Sequence, residues 1–317
     1  MGEIGRLVRS ALSHPPGDGT PMPGLDLSGL VLDPPRMHAC SLAEHDSVRA
    51  VSVDGGHTAK FAAFLDGVQR SHVIDYAGTV PVVAGRTAAV IRARVERRMT
   101  TWGDGVRSQA RVYAPLQLLS PLSLAALQGT GLEFRDTLPA NEEVSGHPME
   151  LLRRAVDCVK RDRELAELEL AESWVTATDA LLFVDGGLPP GPAASVATNC
   201  VGVVKSHTTI YVPPDGLPTV LGLREGERSS AFIVDRKWGP RVVSWYLRLR
   251  EPPTHDPFRG LVRVEVASGQ GEVTARADEA SGWILAERSP LSLPDARWDR
   301  MVYGIHDCEE YLRATAG

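Results

Sequence analysis

The segment that most constrains the fold is a long helix-forming stretch that leads directly into a short apolar one. Residues 149–176 (MELLRRAVDCVKRDRELAELELAESWVT) consist largely of strong helix formers, and Pro148 stands where a helix can begin. Residues 180–184 (ALLFV) form a continuous apolar run, typical of a strand buried on both faces. A long helix followed by a buried strand favours an α/β fold.

Other segments extend this pattern into a mixed sheet. A helix is predicted for residues 87–98 (TAAVIRARVERR) and a closing helix for 294–314. The predicted strands cover residues 49–54, 62–67, 71–78, 200–212, 229–236, 241–250 and 260–268. The last two strands alternate clearly, so we expect one face of each to be solvated or to bind a partner. We found no internal repeat of solenoid length.

The domain prediction has two parts. Residues 1–47 are predicted to form an irregular lead-in, because the segment between residues 13 and 36 is rich in Pro and Gly. Residues 48–317 form the functional α/β domain, with residues 100–148 as an inserted, Leu-rich helical segment.

Composition narrows the class of protein. No run approaches eighteen apolar residues, which predicts no membrane helix, and the first residues lack the apolar core of a secretory signal. The four cysteines are scattered without a CxxC spacing, which argues against a zinc knuckle and favours a cytoplasmic location. The net charge of −6 is unusual for a nucleic-acid-binding protein, but arginines crowd residues 86–98 and residues 153–163. Those two clusters are equally compatible with solvated helix faces.

One short sequence pattern that could place metal-binding carboxylates occurs twice. Val-Asp-Gly-Gly ends an apolar run at residues 53–56 and again at residues 184–187. A strand would fix each aspartate, and the glycines would let a phosphate approach closely. If the two strands are neighbours, Asp54 and Asp185 meet, and a divalent cation would relieve their repulsion. A single Asp-Gly-Gly is more often just a turn signal.

Further candidates surround this pair. A third acidic ligand is expected from the glutamates of the long helix, among which we choose Glu167. Lys205 lies in an apolar strand, where a lysine needs an edge position, a carboxylate partner or a phosphate. His306 in the closing helix is a possible metal or leaving-group residue, although a lone histidine is usually structural.

In their order and spacing, these segments resemble the NurA nucleases over about residues 48–313. The resemblance rests on VDGG, the Glu-rich helix before FVDGG, GVVKSHTTIYV, SWYLRL, GLVRVEV and VYGIHDCEEYL. It implies a ribonuclease H-like mixed sheet flanked by helices and Mn²⁺- or Mg²⁺-dependent cleavage of DNA. It also implies a homodimer that works with a HerA-type hexameric ATPase, in DNA end resection or phage defence.

The resemblance assigns roles to individual residues. Asp54 and Asp185 match the two metal-binding aspartates, and Glu167 matches the acid between them. Lys205 matches a lysine on the strand after the second aspartate. At the C-terminus the match is looser, because Tyr303 is followed by glycine rather than proline. His306 takes the histidine place there, with Tyr303 or Trp298 in the tyrosine place.

The expected DNA channel runs between the two subunits of the dimer and is lined by arginines. The arginines chosen as DNA-binding are Arg92, Arg94, Arg97 and Arg98. The expected subunit interface uses the aromatic and Arg-rich strands around Trp245, Tyr246 and Leu247.

Two other functions fit parts of the sequence. An actin-like sugar kinase or ATPase would use Asp54, Thr58 and Lys60 in a phosphate loop, although the chain is short for two such lobes. A catalytically silent adaptor of a translocase would bind its partner and DNA without hydrolysis.

Overall fold

The computed structural model describes residues 2–12, 34–53, 58–138, 146–213, 215–237, 239–251, 256–269, 271–288 and 299–316. Within these ranges the protein is a mixed α/β structure whose large sheet is flanked by helices, as predicted. The helices are α1 (Gly2–Ala11), α2 (Pro121–Gln128), α3 (Pro148–Ala177), α4 (Leu217–Leu221), α5 (Val273–Glu287) and α6 (Tyr303–Ala316). None of the described helices is long and apolar enough to cross a membrane.

Thirteen of the fifteen described strands form the large sheet. The strands of the first half are β1 (Arg36–His38), β2 (Ser41–Leu42), β3 (Ala50–Ser52), β4 (Ala63–Ala77), β5 (Val80–Val95), β6 (Arg98–Thr101), β7 (Arg107–Ala114) and β8 (Phe134–Asp136). Those of the second half are β9 (Leu182–Asp185), β10 (Cys200–Val204), β11 (Thr209–Tyr211), β12 (Glu227–Ser229), β13 (Phe232–Val234), β14 (Val242–Arg248) and β15 (Leu261–Ala267). The order along the large sheet is β2-β13-β14-β15-β10-β9-β4-β5-β7-β8, with β3, β6 and β12 attached at its sides.

Five central strands form the part of the sheet that carries the site. β4, β5 and β7 are antiparallel neighbours, and β9 and β10 then continue the sheet parallel to β4. α3 makes the connection from the antiparallel strands to β9. Because β9 and β10 are parallel to β4, their carboxyl ends lie at one edge of the sheet, where ligands of α/β proteins commonly bind.

The two faces of β4 pack against different helices. Leu65 belongs to the cluster that contains Leu170 and Trp174 of α3, whereas Phe64 belongs to the cluster that contains Ile305 of α6. Successive strand residues point to opposite faces, so even-numbered β4 residues near Phe64 face α6 and odd-numbered ones face α3. The buried strand and long helix predicted from the sequence are therefore confirmed as β9 and α3.

β14 and β15 differ from the prediction of a solvated face. All seven residues of each strand are buried, including Trp245, Tyr246 and Leu247. Their polar members pair inside the protein: Arg263 forms an ion pair with Glu265. The predicted subunit interface on these residues is therefore wrong, because they lie in the core.

Three further predictions need correction. Residues 87–98 form the end of strand β5 and a hairpin, not a helix. Residues 107–114 are strand β7 of the main sheet, so only part of the segment 100–148, around α2, departs from it. In the predicted lead-in, residues 2–11 form α1, whose Val8 packs with Ile74 of β4.

Candidate metal centre

Asp185 is the residue at which β9 ends. The three preceding residues, Leu182 to Val184, are buried, so the strand fixes the position of the carboxylate. Gly186 follows with φ +134°, a conformation that side-chain-bearing residues rarely adopt, and its N–H donates to the Val203 carbonyl at 3.0 Å. Gly186 thus still bridges Val203, and its positive φ redirects the chain, so the Asp185 carboxylate lies where β9 ends.

Asp66 lies beside Asp185 on the neighbouring strand. The register pairs Phe64 with Phe183 and Leu65 with Val184, so each aspartate comes one residue after a matched pair. Asp66 is 6% exposed, and its Oδ1 accepts a hydrogen bond from the Gly67 N–H at 2.8 Å. Two parallel strands thus deliver two carboxylates to the same place.

Glu309 completes the cluster from α6. The helix packs tightly on β4, because Gly304 lies where an added Cβ would collide with the Phe64 ring and the Cys308 thiol donates to the Phe64 carbonyl at 3.3 Å. One carboxylate oxygen from each of Asp66, Asp185 and Glu309 lies within 4.8 Å of the other two. Glu309 is 6% exposed and is also paired with Arg313 at 3.1 Å.

This arrangement concentrates negative charge in a buried place. Burial raises the pKa of Asp66 well above its usual value, and the nearby charges of Asp185, Glu167 and Glu309 raise it further, whereas Lys205 lowers it. A divalent cation would remove this penalty, and an all-oxygen donor set suits hard cations such as Mg²⁺ and Mn²⁺. The donor set and its charge therefore fit a metal ion.

Lys205 lies directly after β10, not inside it. Its ammonium donates to Asp185 Oδ2 at 2.9 Å and lies 3.8 Å from the sulfur of Met301. Both partners of the ion pair are mostly buried, at 15% and 18% side-chain exposure. The carboxylate partner predicted as one explanation for this lysine is thus present, and it is a member of the acidic cluster.

Glu167 lies next to the cluster on the α3 side. Its carboxylate packs over Gly67, where an added Cβ would collide with it, and it forms an ion pair with Arg163. Burial raises the pKa of Glu167 to about 7, although Arg163 opposes the shift. Glu167 is close enough to raise the pKa of Asp66, and Asp185 raises the pKa of Glu167, but Glu167 is not one of the three mutually close residues.

The two remaining predicted ligands have different outcomes. His306 is on α6, three residues before Glu309, but it belongs neither to the acidic cluster nor to the residues that line its cleft. Asp54 lies outside the described residues, as does Trp298. The strand before Asp54, β3, pairs with β12, whereas the neighbours of β9 are β4 and β10. The expectation that these two strands are adjacent is therefore wrong.

Sequence reasoning missed Asp66 and Glu309. A signal for Asp66 was available, because Phe64-Leu-Asp-Gly67 repeats the order of Phe183-Val-Asp-Gly186. That match includes the phenylalanine, which the VDGG at residues 53–56 lacks. Glu309 had no comparable signal, because it is one of several acidic residues on an amphipathic helix.

The predicted DNA-binding arginines divide into two pairs. Arg92 donates to Asp307 at 2.6 Å and stacks on Tyr311, and Arg94 makes two hydrogen bonds to Glu287. These two arginines hold β5 to α6 and α5. Arg97 and Arg98, by contrast, are exposed at the tip of the β5–β6 hairpin.

An open cleft of about 560 Å³ gives access to the cluster. Its wall combines the three carboxylates with four cationic side chains: Arg163, Lys205, Arg300 and Arg313. Acidic groups at the centre and cations around them suit a ligand that carries both a metal ion and anionic groups.

Comparison of the sequence with protein-family models gives no match, and comparison with curated proteins gives none either.

Proposed function

We propose that this chain is a metal-dependent phosphodiester hydrolase, a DNA nuclease of the NurA type. In this proposal Asp66, Asp185 and Glu309 hold Mn²⁺ or Mg²⁺. The observation that carries it is the convergence of these three carboxylates within 4.8 Å of one another, beside a cleft with four cations. A metal at such a site activates water and neutralises charge on a phosphodiester, and the surrounding cations bind the phosphate backbone.

The sheet topology supports this proposal. Three antiparallel strands, β4, β5 and β7, are followed across α3 by β9 and β10 parallel to the first of them. A ribonuclease H-like core, the fold that the resemblance to NurA nucleases implies, would have this strand order, and the order therefore supports the proposal. The acidic residues come from the first strand, the fourth strand and the closing helix of that arrangement.

The protein residues have separable roles in this reaction. Lys205 neutralises Asp185 in the metal-free protein, and its ammonium can bind a non-bridging phosphate oxygen when substrate enters the cleft. Arg313 orients Glu309 through their ion pair, and Arg163 holds Glu167 beside the cluster. The buried walls around Asp66 exclude bulk water and strengthen each of these electrostatic interactions.

The test is a nuclease assay on the full chain with matched carboxylate variants. Single-stranded DNA should be cleaved in Mn²⁺ or Mg²⁺, and EDTA should abolish cleavage. Glu309→Gln should remove cleavage, whereas Glu310→Gln, an exposed neighbour on the same helix, should retain it. If the wild-type protein is inactive in both metals alone and with a HerA-type ATPase, or if Glu309→Gln is fully active, the proposal fails.

The two rival functions predict other outcomes. An adaptor would bind DNA and its partner with no hydrolysis in Mn²⁺, which would leave the converging carboxylates without a role. A sugar kinase would transfer phosphate from ATP, using Lys60 in its phosphate loop. The Lys60 ammonium lies 5.7 Å from the centre of the Trp283 ring, and Lys60 is absent from the wall of the acidic cleft.

The homodimer and the HerA-type partner belong to the same proposal. Light scattering at micromolar concentration should give twice the chain mass, and a monomer would contradict the dimer. A co-purified hexameric ATPase should increase the cleavage rate, because the translocase would feed DNA into the cleft.

A further inference from the structure

A second, smaller cavity adjoins the acidic cleft on the α6 side of the sheet. Its volume is about 200 Å³, and three arginines line it: Arg70 of β4, Arg86 of β5 and Arg313 of α6. Arg313 and Val68 line both this cavity and the acidic cleft, so the two spaces are adjacent. In contrast to the acidic cleft, this cavity has no carboxylate among the described residues of its wall.

The arginine pair at its floor is an unusual element of a sheet. Arg70 and Arg86 are directly opposite each other in the β4–β5 register. Like charges in that position destabilise a sheet, and an anion bound beside Arg70 reduces that repulsion. Arg86 donates to the Ala316 carbonyl at 3.3 Å, whereas Arg70 is exposed and forms no ion pair within the described part of the chain.

The cavity lies in line with the acidic cluster. Asp66, Val68 and Arg70 are alternate residues of β4 and therefore share the face that α6 covers. Arg70 is four residues further along β4 than Asp66, which corresponds to about 13 Å. An anionic polymer bound at the acidic cluster therefore reaches the arginines within a few nucleotides.

We propose that Arg70, Arg86 and Arg313 bind a backbone phosphate of a single-stranded DNA substrate, a few nucleotides from the phosphate that is cleaved. This inference rests on the proposed nuclease function and adds a specific contact to it. The cavity holds one phosphate group on one side of the scissile bond, and Arg313 connects it to the acidic cleft.

The first experiment measures binding without cleavage. A fluorescently labelled single strand is titrated with the full chain in EDTA, and anisotropy is recorded at several salt concentrations. Arg70→Gln should weaken binding roughly three- to fivefold, and it should reduce the slope of log K against log salt by about 0.7. The matched control is Arg107→Gln. Arg107 is an exposed arginine of β7 that lies opposite Ala89, and Ala89 belongs to the core cluster on the α3 side of the sheet. This control should leave both the affinity and the salt slope unchanged.

The second experiment locates the contact on the DNA. A set of oligonucleotides carries one uncharged methylphosphonate linkage at successive positions. The wild-type protein should lose affinity when one particular position is neutral, and Arg70→Gln should be insensitive to that position. The position should lie a few nucleotides from the cleavage point mapped in Mn²⁺.

Each outcome decides between explanations. Unchanged affinity and salt slope in Arg70→Gln would overturn the inference. A lower melting temperature of Arg70→Gln with unchanged affinity would show that the arginines bind the chain's own C-terminal segment. A loss of affinity confined to duplex DNA would show that they bind a duplex rather than a single strand. Either result would also overturn the inference. If Arg70 governs binding but no metal supports cleavage, the proposed function fails while the phosphate contact stands.

Discussion

Asp66 and Asp185 occupy equivalent positions on adjacent parallel strands, each one residue beyond the Leu65–Val184 pair. Strand pairing alone therefore fixes the separation of the two carboxylates. Their proximity does not depend on loop conformation, which favours a site built on rigid elements. The cost is electrostatic, because the two carboxyl groups face each other, and without a metal ion Lys205 offsets their repulsion through its ion pair with Asp185.

This cost leads to a prediction for Asp66→Asn. In metal-free buffer the variant should be at least as stable as the wild type, because it replaces a buried carboxyl group, whose ionisation is unfavourable beside Asp185 and Glu309, with a neutral amide. In Mn²⁺ it should lose at least about 100-fold in cleavage rate, since about 3 kcal/mol of charge stabilisation is removed. Thermal melting with and without Mn²⁺, with single-turnover cleavage, provides the check. A variant that Mn²⁺ stabilises as strongly as the wild type would exclude Asp66 as a ligand.

Much of the fold follows from the sequence, and the residues show why the rest does not. α3 is a long run of helix formers, and the segment that leads to Asp185 in β9 is continuously apolar, so their sequences indicate a helix and a buried strand without ambiguity. Residues 87–98 look helical, but tertiary pairing with β4 and β7 overrides that local preference. The hairpin turn after β5 could not be predicted from the sequence, because Glu96 and Arg97 adopt positive φ in place of the Asn-Gly pair that usually marks such a turn.

The candidate site was half predictable. Asp185 is identifiable because Val-Asp-Gly-Gly ends an apolar run twice in the sequence, and Lys205 because a lysine in an apolar strand is costly without a partner. Glu309 could not be chosen from the sequence, since the side chain that reaches the cluster depends on how closely α6 docks. That distance is set by Gly304 against Phe64, a contact with no local sequence signature.

Glu167 should make the metal-free protein more stable in acid. Burial raises the pKa of its carboxyl from 4.5 to about 7, so the folded protein binds a proton more readily than the unfolded chain does. Its contribution to stability is therefore fully present below about pH 4.5 and is lost as the pH rises to about 7, by an amount on the order of 3 kcal/mol. Denaturant unfolding in EDTA across this range measures it.

The control for that experiment is Glu167→Gln, which should flatten the decline between pH 4.5 and pH 7. The exposed Glu164→Gln on the same helix should not. An unchanged pH profile in Glu167→Gln would show that its carboxyl titrates normally.

Lys205→Met separates a structural role from a catalytic one. Without Mn²⁺ the variant should lose roughly 1–3 kcal/mol of stability, because Asp185 keeps a mostly buried charge with no cation beside it. Saturating Mn²⁺ should restore most of this stability, and the cleavage rate should still be reduced if the ammonium binds phosphate. Lys160→Met, an exposed lysine of α3, is the control. Full activity of Lys205→Met would remove the lysine from the reaction.

The four arginines of the hairpin should fall into two classes. Arg94→Gln should destabilise the protein by about 3 kcal/mol, because it leaves the buried carboxylate of Glu287 unpaired. The double variant Arg97→Gln, Arg98→Gln should leave stability unchanged, since both side chains are exposed. If these two bind DNA as predicted, the double variant reduces the salt slope of binding by about 1.4 for a single strand. An unchanged slope contradicts that prediction.

Gly304 should be as important for metal binding as for packing. A Cβ at this position meets the Phe64 ring, so Gly304→Ala has to displace α6 from β4 and move Glu309 away from Asp66. We expect a loss of about 1–3 kcal/mol in stability from overpacking, together with weaker Mn²⁺ binding measured by calorimetry. Gly146→Ala is a suitable control, because nothing lies within 4 Å of its added methyl group. A second variant, Gly304→Ala with Phe64→Leu, gives the ring's space back to the helix. It should recover Mn²⁺ affinity if the displacement of Glu309 is the cause, and recovery of stability without affinity would contradict the role assigned to this contact.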